Sequence, residues 1–284
     1  MRIKVVTDSG SDISNAEAEE MGIRVIPLKI NWGNETYQDG VTISREEFYE
    51  KLGEREDFPT TSQISPYEYG KVFEEELINN DAVVCIALSS GVSGSFQSAC
   101  VAAEDYEGRV VVIDSLNVTV GQRMVVNETL RLIEEGCEFS ELKERVHEAR
   151  DRVRVMAALD TLEYLKRGGR ISATVAFAGT LLNVKPMVEI KDGKVQMAGQ
   201  ARGKKAGLKK LSEMICAVEK DTEATMIMAY SGCDSEGLET FRKEYENLFL
   251  ENKRDERNFI IGAVIGTHAG PGAVAVAFLE KNKQ

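Results

Sequence analysis

Residues 82–103 read AVVCIALSSGVSGSFQSACVAA, and this stretch holds most of the information about the fold. Its first part, 82–87, is an apolar run typical of a buried strand, and 96–103 has the residue spacing of a helix. Between them lies a loop of serines and glycines. Such a loop presents hydroxyls and unpaired backbone N–H groups at a helix N-terminus, where the helix dipole favours negative charge. It therefore predicts a cradle for a carboxylate or a phosphate. The alternative is an ordinary N-capped turn between a strand and a helix.

Short apolar runs alternate with amphipathic stretches through the first half of the chain. The runs predict strands at 3–6, 23–30, 82–88 and 109–114, and the stretches predict helices at 14–21, 44–52, 66–79, 96–105, 119–135 and 140–151. This alternation indicates βαβ crossovers and a mostly parallel sheet with flanking helices, whose ligands bind at the carboxyl ends of the strands. The fold class is therefore α/β, with an N-terminal domain at 1–152.

The pattern changes at about residue 153. Asp192-Gly193 lies between two short strand-like runs and is typical of a hairpin with a primed turn. Further strands are predicted at 225–230, 258–265 and 273–279, and helices at 204–219 and 235–247. The short loop between the last two strands favours an antiparallel pair. Since 284 residues are too many for most single cores, we expect a second domain at 153–284, of the α+β type with a mixed or antiparallel sheet.

Composition excludes several classes of protein. A formal net charge of −12 argues against a nucleic-acid binder, which needs a basic surface. The five cysteines form no C-x-x-C pair and there are only two histidines, which disfavours a disulfide framework or a metal site. The chain has no apolar run of eighteen residues and begins with a strand-like segment rather than a secretory signal. These features predict a cytoplasmic protein.

Two further segments carry candidate ligand-binding residues. His268 lies in the Gly/Pro-rich stretch 266–273, predicted as a loop between strands, where its ring is not packed by neighbours and can face a ligand. Thr61 and Ser62 precede Ser65-Pro66, which opens a helix; since Ser65 supplies the cap, both hydroxyls are free to bind something else. The alternatives are a loop histidine without a role and an ordinary helix cap.

Basic and apolar segments complete the set of candidates. Two clusters, 166–170 and 202–205, are basic within an acidic chain and can meet a phosphate or an acidic partner, although solvated helix ends have the same composition. The stretch 175–182 is apolar around nearly its whole circumference, which is typical of a buried helix and also suits the wall of a long apolar cavity.

A hydrolase and a polar binding module are the competing interpretations. Ser93, His268 and an aspartate such as Asp114 are the ingredients of a catalytic triad. The segment 91–95 lacks the second glycine of the G-x-S-x-G elbow, which weakens that interpretation. A module that binds phosphate or a sugar acid would have a short polar pocket. The chain has no Gly-rich Walker loop with its lysine, so we do not expect it to bind ATP.

Taken together, six segments in order along the whole chain resemble the DegV family, whose characterised members are fatty-acid-binding proteins that serve a fatty acid kinase. The matching segments are 7–12 (TDSGSD), 61–63 (TSQ), 89–98, 160–170 (DTLEYLKRGGR), 185–186 (KP) and 266–273. The resemblance implies a DegV-like fold of two α/β domains with a fatty acid buried between or beneath them.

The resemblance also implies a function, which is that of a carrier rather than an enzyme. The chain would bind a long-chain fatty acid and present it to a separate kinase, which brings ATP and Mg²⁺ and forms an acyl phosphate; the chain needs no cofactor of its own. The implied carboxylate donors are Thr61, Ser62, Ser93 and His268, with Gly94 and Ser95 adjacent. Arg170, Arg202 and Lys204 are the candidates for contact with the kinase or the phosphoryl group. No nucleic-acid partner is expected, and a transient contact with a membrane surface stays open. A serine hydrolase or acyltransferase that uses Ser93 and His268 is the alternative.

Overall fold

The computed structural model describes residues 1–171, 183–249 and 257–282. Its strands are β1 Ile3–Asp8, β2 Arg24–Ile26, β3 Lys29–Trp32, β4 Glu35–Gln38, β5 Thr60–Ser62, β6 Ala82–Ala87, β7 Val110–Asp114, β8 Val153–Ala158, β9 Val184–Lys191, β10 Lys194–Arg202, β11 Ile227–Tyr230, β12 Arg257–Ile260 and β13 Val274–Leu279. The helices are α1 Asn15–Glu20, α2 Arg45–Glu54, α3 Pro66–Glu76, α4 Ser95–Ala103, α5 Thr119–Glu134, α6 Phe139–Asp151, α7 Glu163–Arg167, α8 Lys204–Cys216, α9 Glu236–Glu244 and α10 Ala263–Ala269.

Three sheets organise these elements. A parallel sheet has the order β2-β1-β6-β7, and a mixed six-stranded sheet has the order β10-β9-β8-β13-β11-β12. A small antiparallel sheet, β4-β3-β5, flanks the first. The α/β class, with a parallel sheet and a mixed one, is confirmed. Every residue of β6 is completely buried, which is usual for a central parallel strand covered on both faces.

The sheets and helices stack in layers. Helices α3 and α4 cover one face of the parallel sheet, and α8 and α9 cover one face of the mixed sheet. The inner faces of both sheets pack on α5 and α6, so the central apolar core contains residues from both halves of the chain. All strands of the mixed sheet follow residue 152. The domain boundary at that residue stays a prediction, because α5 packs on β8 and β13 across it.

Local signals set several of these elements. Ser65 caps α3 through a capping box with Glu68, and Pro66 occupies the first helical turn, as predicted. Asp192 and Gly193 join β9 to β10 with φ angles of 50° and 73°, as a primed hairpin turn requires. The hairpin prediction is therefore confirmed.

Two strand predictions are wrong in part. The segment 23–30 is not one strand, because it divides at Pro27 into β2 of the parallel sheet and β3 of the small sheet. Proline has no N–H for a continuous ladder. The segment 258–265 ends as a strand at Ile260 and continues as helix α10. Strands β12 and β13 run in opposite directions but are not paired, since β11 lies between them.

Candidate functional site

A cavity of about 230 Å³ lies where the loops after β6 and β7 face the mixed sheet. Its wall on the mixed sheet is apolar apart from Glu189, and Val155, Ala157 and Leu159 line it at alternate positions, as the two-residue period of a strand demands. Neighbouring strands add Val188, Ile190, Val195 and Ala275. Four residues along β8 correspond to roughly 13 Å of apolar wall. The rest of the lining includes polar groups: Thr61, Ser62, Gln63, Ser93, Gly94, Arg170 and His268.

Thr61 and His268 form the centre of the polar group. The Thr61 Oγ1 lies 2.9 Å from the His268 Nε2, although the two residues are 207 positions apart in the sequence. The His268 Nδ1 is buried and has no hydrogen-bond partner among the described residues. Burial, and to a lesser extent the charge of Arg170, lowers the pKa of His268 to about 4. The ring is therefore neutral at pH 7. A neutral imidazole has one N–H. If that N–H is on Nε2, it donates to the Thr61 Oγ1, and the Thr61 hydroxyl keeps its own proton for a ligand.

The surroundings of His268 correct the sequence prediction. The residue lies in helix α10 rather than in an open loop, and its ring is packed against Gly168. A Cβ added at Gly168 would lie 2.0 Å from the His268 Nδ1, so only glycine leaves room for the imidazole. Just beyond, the Arg170 Nε donates to the Val92 carbonyl at 3.1 Å, and its Nη1 donates to the Gly168 carbonyl. Arg170 therefore lies in the cavity wall beside His268.

The serine loop contributes Ser93 and Gly94 to the lining but not Ser95. Ser95 is completely buried; its Oγ accepts from the Ser93 hydroxyl at 3.0 Å and from the Ile64 backbone N–H at 3.4 Å. It thereby joins the loop to the segment that follows β5. Because the Ser93 hydroxyl bonds to Ser95 and the imidazole bonds to Thr61, the geometry gives no support to a Ser93–His268 catalytic pair.

Neighbouring side chains hold the serine loop and β5 in place. The Ser62 Oγ accepts from the Asn31 Nδ2 at 2.6 Å, which leaves its own proton free to donate. The Gln63 Nε2 donates to the Ser98 Oγ at 3.2 Å, and the lack of a side chain at Gly94 allows Gln63 to approach. On the other side, the buried Ser89 hydroxyl donates to the Gly193 carbonyl at 2.6 Å and ties the β9–β10 hairpin to the loop.

Three buried aspartates lie behind the site, and sequence reasoning missed them. The Asp8 carboxylate accepts from the backbone N–H of Leu88, at the base of the serine loop, at 2.7 Å. Asp12 and Asp39 accept from backbone N–H groups at the start of α10. Burial raises the pKa of Asp8 and that of Asp12 to about 6, and raises the pKa of Asp39. Asp8 and Asp12 lie in the quoted 7–12 segment, yet nothing local indicated what they would contact.

The remaining predicted residues lie elsewhere. Arg202 ends β10 and is exposed, and Lys204 begins α8, where its Nζ lies 3.1 Å from a Glu236 carboxylate oxygen. Neither lines the cavity. The apolar stretch 175–182 falls outside the described residues. Within the part of the chain that the structure describes, no helix is long and apolar enough to cross a membrane, and no group of acidic, histidine and cysteine side chains is arranged to hold a metal ion.

Comparison with known proteins identifies relatives of the whole chain. The family model described as "Uncharacterised protein, DegV family" matches residues 2–281. A DegV domain-containing protein of Caldanaerobacter subterraneus is 38% identical over 284 residues, 99% of each chain. A DegV family protein from Thermus thermophilus, whose structure is described as fatty acid binding, is 35% identical with a TM-score of 0.90, covering 99% of this chain and 100% of that one.

A stearic-acid-binding protein from Eubacterium ventriosum is 30% identical with a TM-score of 0.87, and the match covers 98% of both chains. These similarities extend over the parallel sheet, the mixed sheet and the elements that form the cavity. The chain therefore belongs to the DegV family.

Proposed function

We propose that this chain is a carrier that buries the tail of a long-chain fatty acid in the cavity and holds its carboxylate beside Thr61 and His268. The observation that carries the proposal is the Thr61–His268 hydrogen bond at a cavity whose wall on the mixed sheet is mostly apolar. The fatty-acid-binding relatives from Thermus thermophilus and Eubacterium ventriosum support it.

The tail supplies the affinity. Burial stabilises a hydrocarbon by roughly 0.8 kcal/mol per methylene, so a tail of about fourteen methylenes gains on the order of 11 kcal/mol. Lost translational and conformational freedom offsets several kcal/mol of this gain. The remainder corresponds to micromolar or tighter binding.

The head group supplies specificity. A carboxylate in a partly apolar site needs hydrogen-bond donors for its oxygens. Thr61 and Ser62 offer hydroxyl protons, Ser93 offers its own when it turns from the Ser95 Oγ to the carboxylate, and the neutral His268 sets the direction of the Thr61 hydroxyl. Arg170, in the same wall, brings a positive charge to this site in a chain whose formal net charge is −12.

The second part of the proposal is transfer. A separate fatty acid kinase binds to this carrier and phosphorylates the carboxylate to an acyl phosphate, using its own ATP and Mg²⁺. Arg202 and Lys204 form part of the docking surface, since both lie outside the cavity in an otherwise acidic chain. Arg170 faces the incoming phosphoryl group. The carrier itself performs no catalysis and needs no cofactor. The carrier works in the cytoplasm and meets a membrane surface only transiently, when the fatty acid enters or leaves.

Extraction of the purified protein with organic solvent, followed by mass spectrometry, tests the first part. We expect near-stoichiometric fatty acid. Ser93→Ala removes a hydroxyl donor, and His268→Ala removes the group that directs the Thr61 hydroxyl. Each change costs a hydrogen bond to an ion, which is worth about 1.5–3 kcal/mol, so palmitate binding should weaken by tenfold to a hundredfold. Protein that carries no lipid, and whose melting temperature palmitate does not raise, would contradict the carrier function. Ester hydrolysis that Ser93→Ala abolishes would instead support the hydrolase.

Addition of a fatty acid kinase with ATP and Mg²⁺ tests the second part. The bound fatty acid should be phosphorylated only when both proteins are present. Phosphorylation by this chain alone would contradict the assignment of catalysis to a partner.

A further inference from the structure

Helix α10 carries His268, and two buried carboxylates from the other half of the chain hold its first turn. The Asp39 Oδ1 and Oδ2 accept from the backbone N–H groups of Ala263 and Val264 at 3.1 and 3.4 Å. The Asp12 Oδ1 accepts from the backbone N–H of Gly262 at 2.9 Å. The N–H groups of a first helical turn have no partner within the helix, so these carboxylates satisfy three of them.

The rest of the surroundings leaves the first turn little freedom. The Tyr49 hydroxyl donates to the Ile261 carbonyl at 2.9 Å, immediately before the helix. A Cβ added at Gly262 would lie 2.8 Å from the Asp12 Oδ1 and 3.4 Å from the Asp39 Oδ2, so both carboxylates pack directly on the backbone. Asp12 and Asp39 expose only 1% and 5% of their surfaces, so bulk solvent competes little for these bonds.

The same carboxylate of Asp12 also reaches the cavity wall. Its Oδ2 accepts from the Thr119 hydroxyl at 2.5 Å, and Thr119 lines the cavity. Thr119 has a φ of 50°, which is a strained conformation for a β-branched residue and persists only where the surroundings enforce it. Asp12 therefore joins the strained start of α5 to the start of α10.

The geometry of a helix relates these contacts to the head-group site. His268 lies four residues after Val264 and so projects from the same face, about one turn and roughly 6 Å along the axis. The bond from Thr61 to the His268 Nε2, at 2.9 Å, is lost if the ring moves by more than about 0.6 Å. A small rotation of α10 about its first turn is therefore enough to break the Thr61–His268 bond.

We propose that Asp12 and Asp39 are positioning residues, which act through the backbone of α10 to hold His268 against Thr61 for recognition of the ligand carboxylate. The inference rests on the proposed function. A serine or asparagine next to the helix would cap it without burying a charge. Two buried carboxylates from residues more than 220 positions away instead fix the helix relative to β5, which carries Thr61.

The test compares palmitate with hexadecanol, which has the same tail without the carboxylate. In Asp39→Asn, an NH2 group replaces one of the two acceptor oxygens. It then faces a backbone N–H, with which it forms no hydrogen bond because both groups are donors. We expect the ratio of palmitate affinity to hexadecanol affinity to fall at least tenfold, as in His268→Ala. The affinity for hexadecanol itself should change less than twofold. Gly262→Ala keeps both carboxylates but pushes them from the helix, and should reduce the preference in the same direction. It serves as the second variant should Asp39→Asn fold poorly.

Imidazole nitrogen NMR gives a readout that a merely stabilising role would not move. The chain has two histidines, so His147 on α6 is an internal reference for His268. In both variants we expect the His268 signals to shift while those of His147 stay in place. Asp221→Asn is the matched control, because Asp221 also accepts a backbone N–H and pairs with Arg152, at the other end of β13. It should change neither readout.

The outcomes separate the two proposals. If palmitate and hexadecanol weaken equally in the variants, or if both variants keep the wild-type preference, the positioning role is overturned while the carrier function stands. If the wild type itself binds neither ligand, the carrier function fails. If His268→Ala retains the full preference for palmitate, the imidazole is not the group that Asp12 and Asp39 position, and the inference is wrong.

Discussion

Gly168 offers a sharp perturbation of the head-group site that removes no hydrogen-bonding group. It ends helix α7 with φ −72° and ψ −9°, a conformation that alanine adopts readily. With open space around it, Gly168→Ala would stabilise the fold by about 0.4–1 kcal/mol through the unfolded state. The space is not open, because the added Cβ would lie 2.0 Å from the His268 Nδ1.

The clash sets the size of the expected effect. Ordinary contact requires about 3.5 Å, so the ring or the end of α7 must move by roughly 1 Å or more. The Thr61–His268 bond, at 2.9 Å, does not survive a movement of that size. The Thr61 hydroxyl is then no longer directed at the ligand. A hydrogen bond to a charged group is worth about 1.5–3 kcal/mol, which corresponds to palmitate binding that is weaker by tenfold to a hundredfold.

Calorimetric titration with palmitate and with hexadecanol measures this effect. Palmitate binding should weaken in Gly168→Ala, and hexadecanol binding should change little because the apolar wall is intact. Gly70→Ala is the control, because Gly70 lies in α3 and no atom lies within 4 Å of an added Cβ. This substitution should raise the free energy of unfolding by about 0.5–1 kcal/mol without altering the affinity for either ligand. A Gly168→Ala protein that binds palmitate as tightly as the wild type would refute the reasoning.

Three further predictions follow from contacts described above. Because burial lowers the pKa of His268 to about 4, the unfolded chain, in which this histidine has its ordinary value of 6.5, binds more protons at this site between these values. The contribution of His268 to the free energy of unfolding therefore falls by about 3 kcal/mol as pH drops from 6.5 to 4. The difference in unfolding free energy between the wild type and His268→Phe, measured in urea at pH 7 and pH 4.5, should shrink accordingly, and a constant difference would contradict the assignment. Ser89→Ala leaves the Gly193 carbonyl without its donor, so the free energy of unfolding should fall by about 1–3 kcal/mol. Amide hydrogens of the β9–β10 turn should also exchange faster. Unchanged exchange there would contradict a role of this bond in holding the hairpin. Arg202→Glu should slow phosphorylation by the kinase without weakening palmitate binding, and weakened binding would move Arg202 from the docking surface to the cavity.

Features governed by local chemistry were predicted from the sequence. The cap at Ser65, the Asp192-Gly193 turn and the buried strand at 82–87 each depend on residues close in the chain, and the structure contains all three. Strand β5 was missed because its three residues become a strand only by pairing with β3, about thirty positions earlier. Residues 60–62 become a strand because they pair with β3, and no pattern within these residues indicates that pairing.

The site shows the same division. Thr61, Ser62, Ser93, Gly94, Arg170 and His268 were singled out and line one cavity. The prediction of an open loop around His268 was wrong because the segment's small apolar residues suit a strand, a loop or a helix equally. The carboxylates of Asp12 and Asp39 cap its first turn, and these contacts span more than 220 residues, so no local pattern indicates them. Ser95 was expected to bind ligand, but its hydroxyl is used within the protein.

The long separation between Asp39 and Val264 has a consequence for the protein during its synthesis. The two residues are 225 positions apart, and ribosomes add about 5–20 residues per second. Asp12, which is 250 positions from its partner Gly262, and Asp39 therefore wait roughly 10–50 seconds for the N–H groups that they bind in the finished protein. During that time the nascent chain contains Thr61 and the serine loop but not His268. A ribosome-bound intermediate can form the parallel sheet but lacks His268, so the proposed head-group site is complete only at the last stage of synthesis.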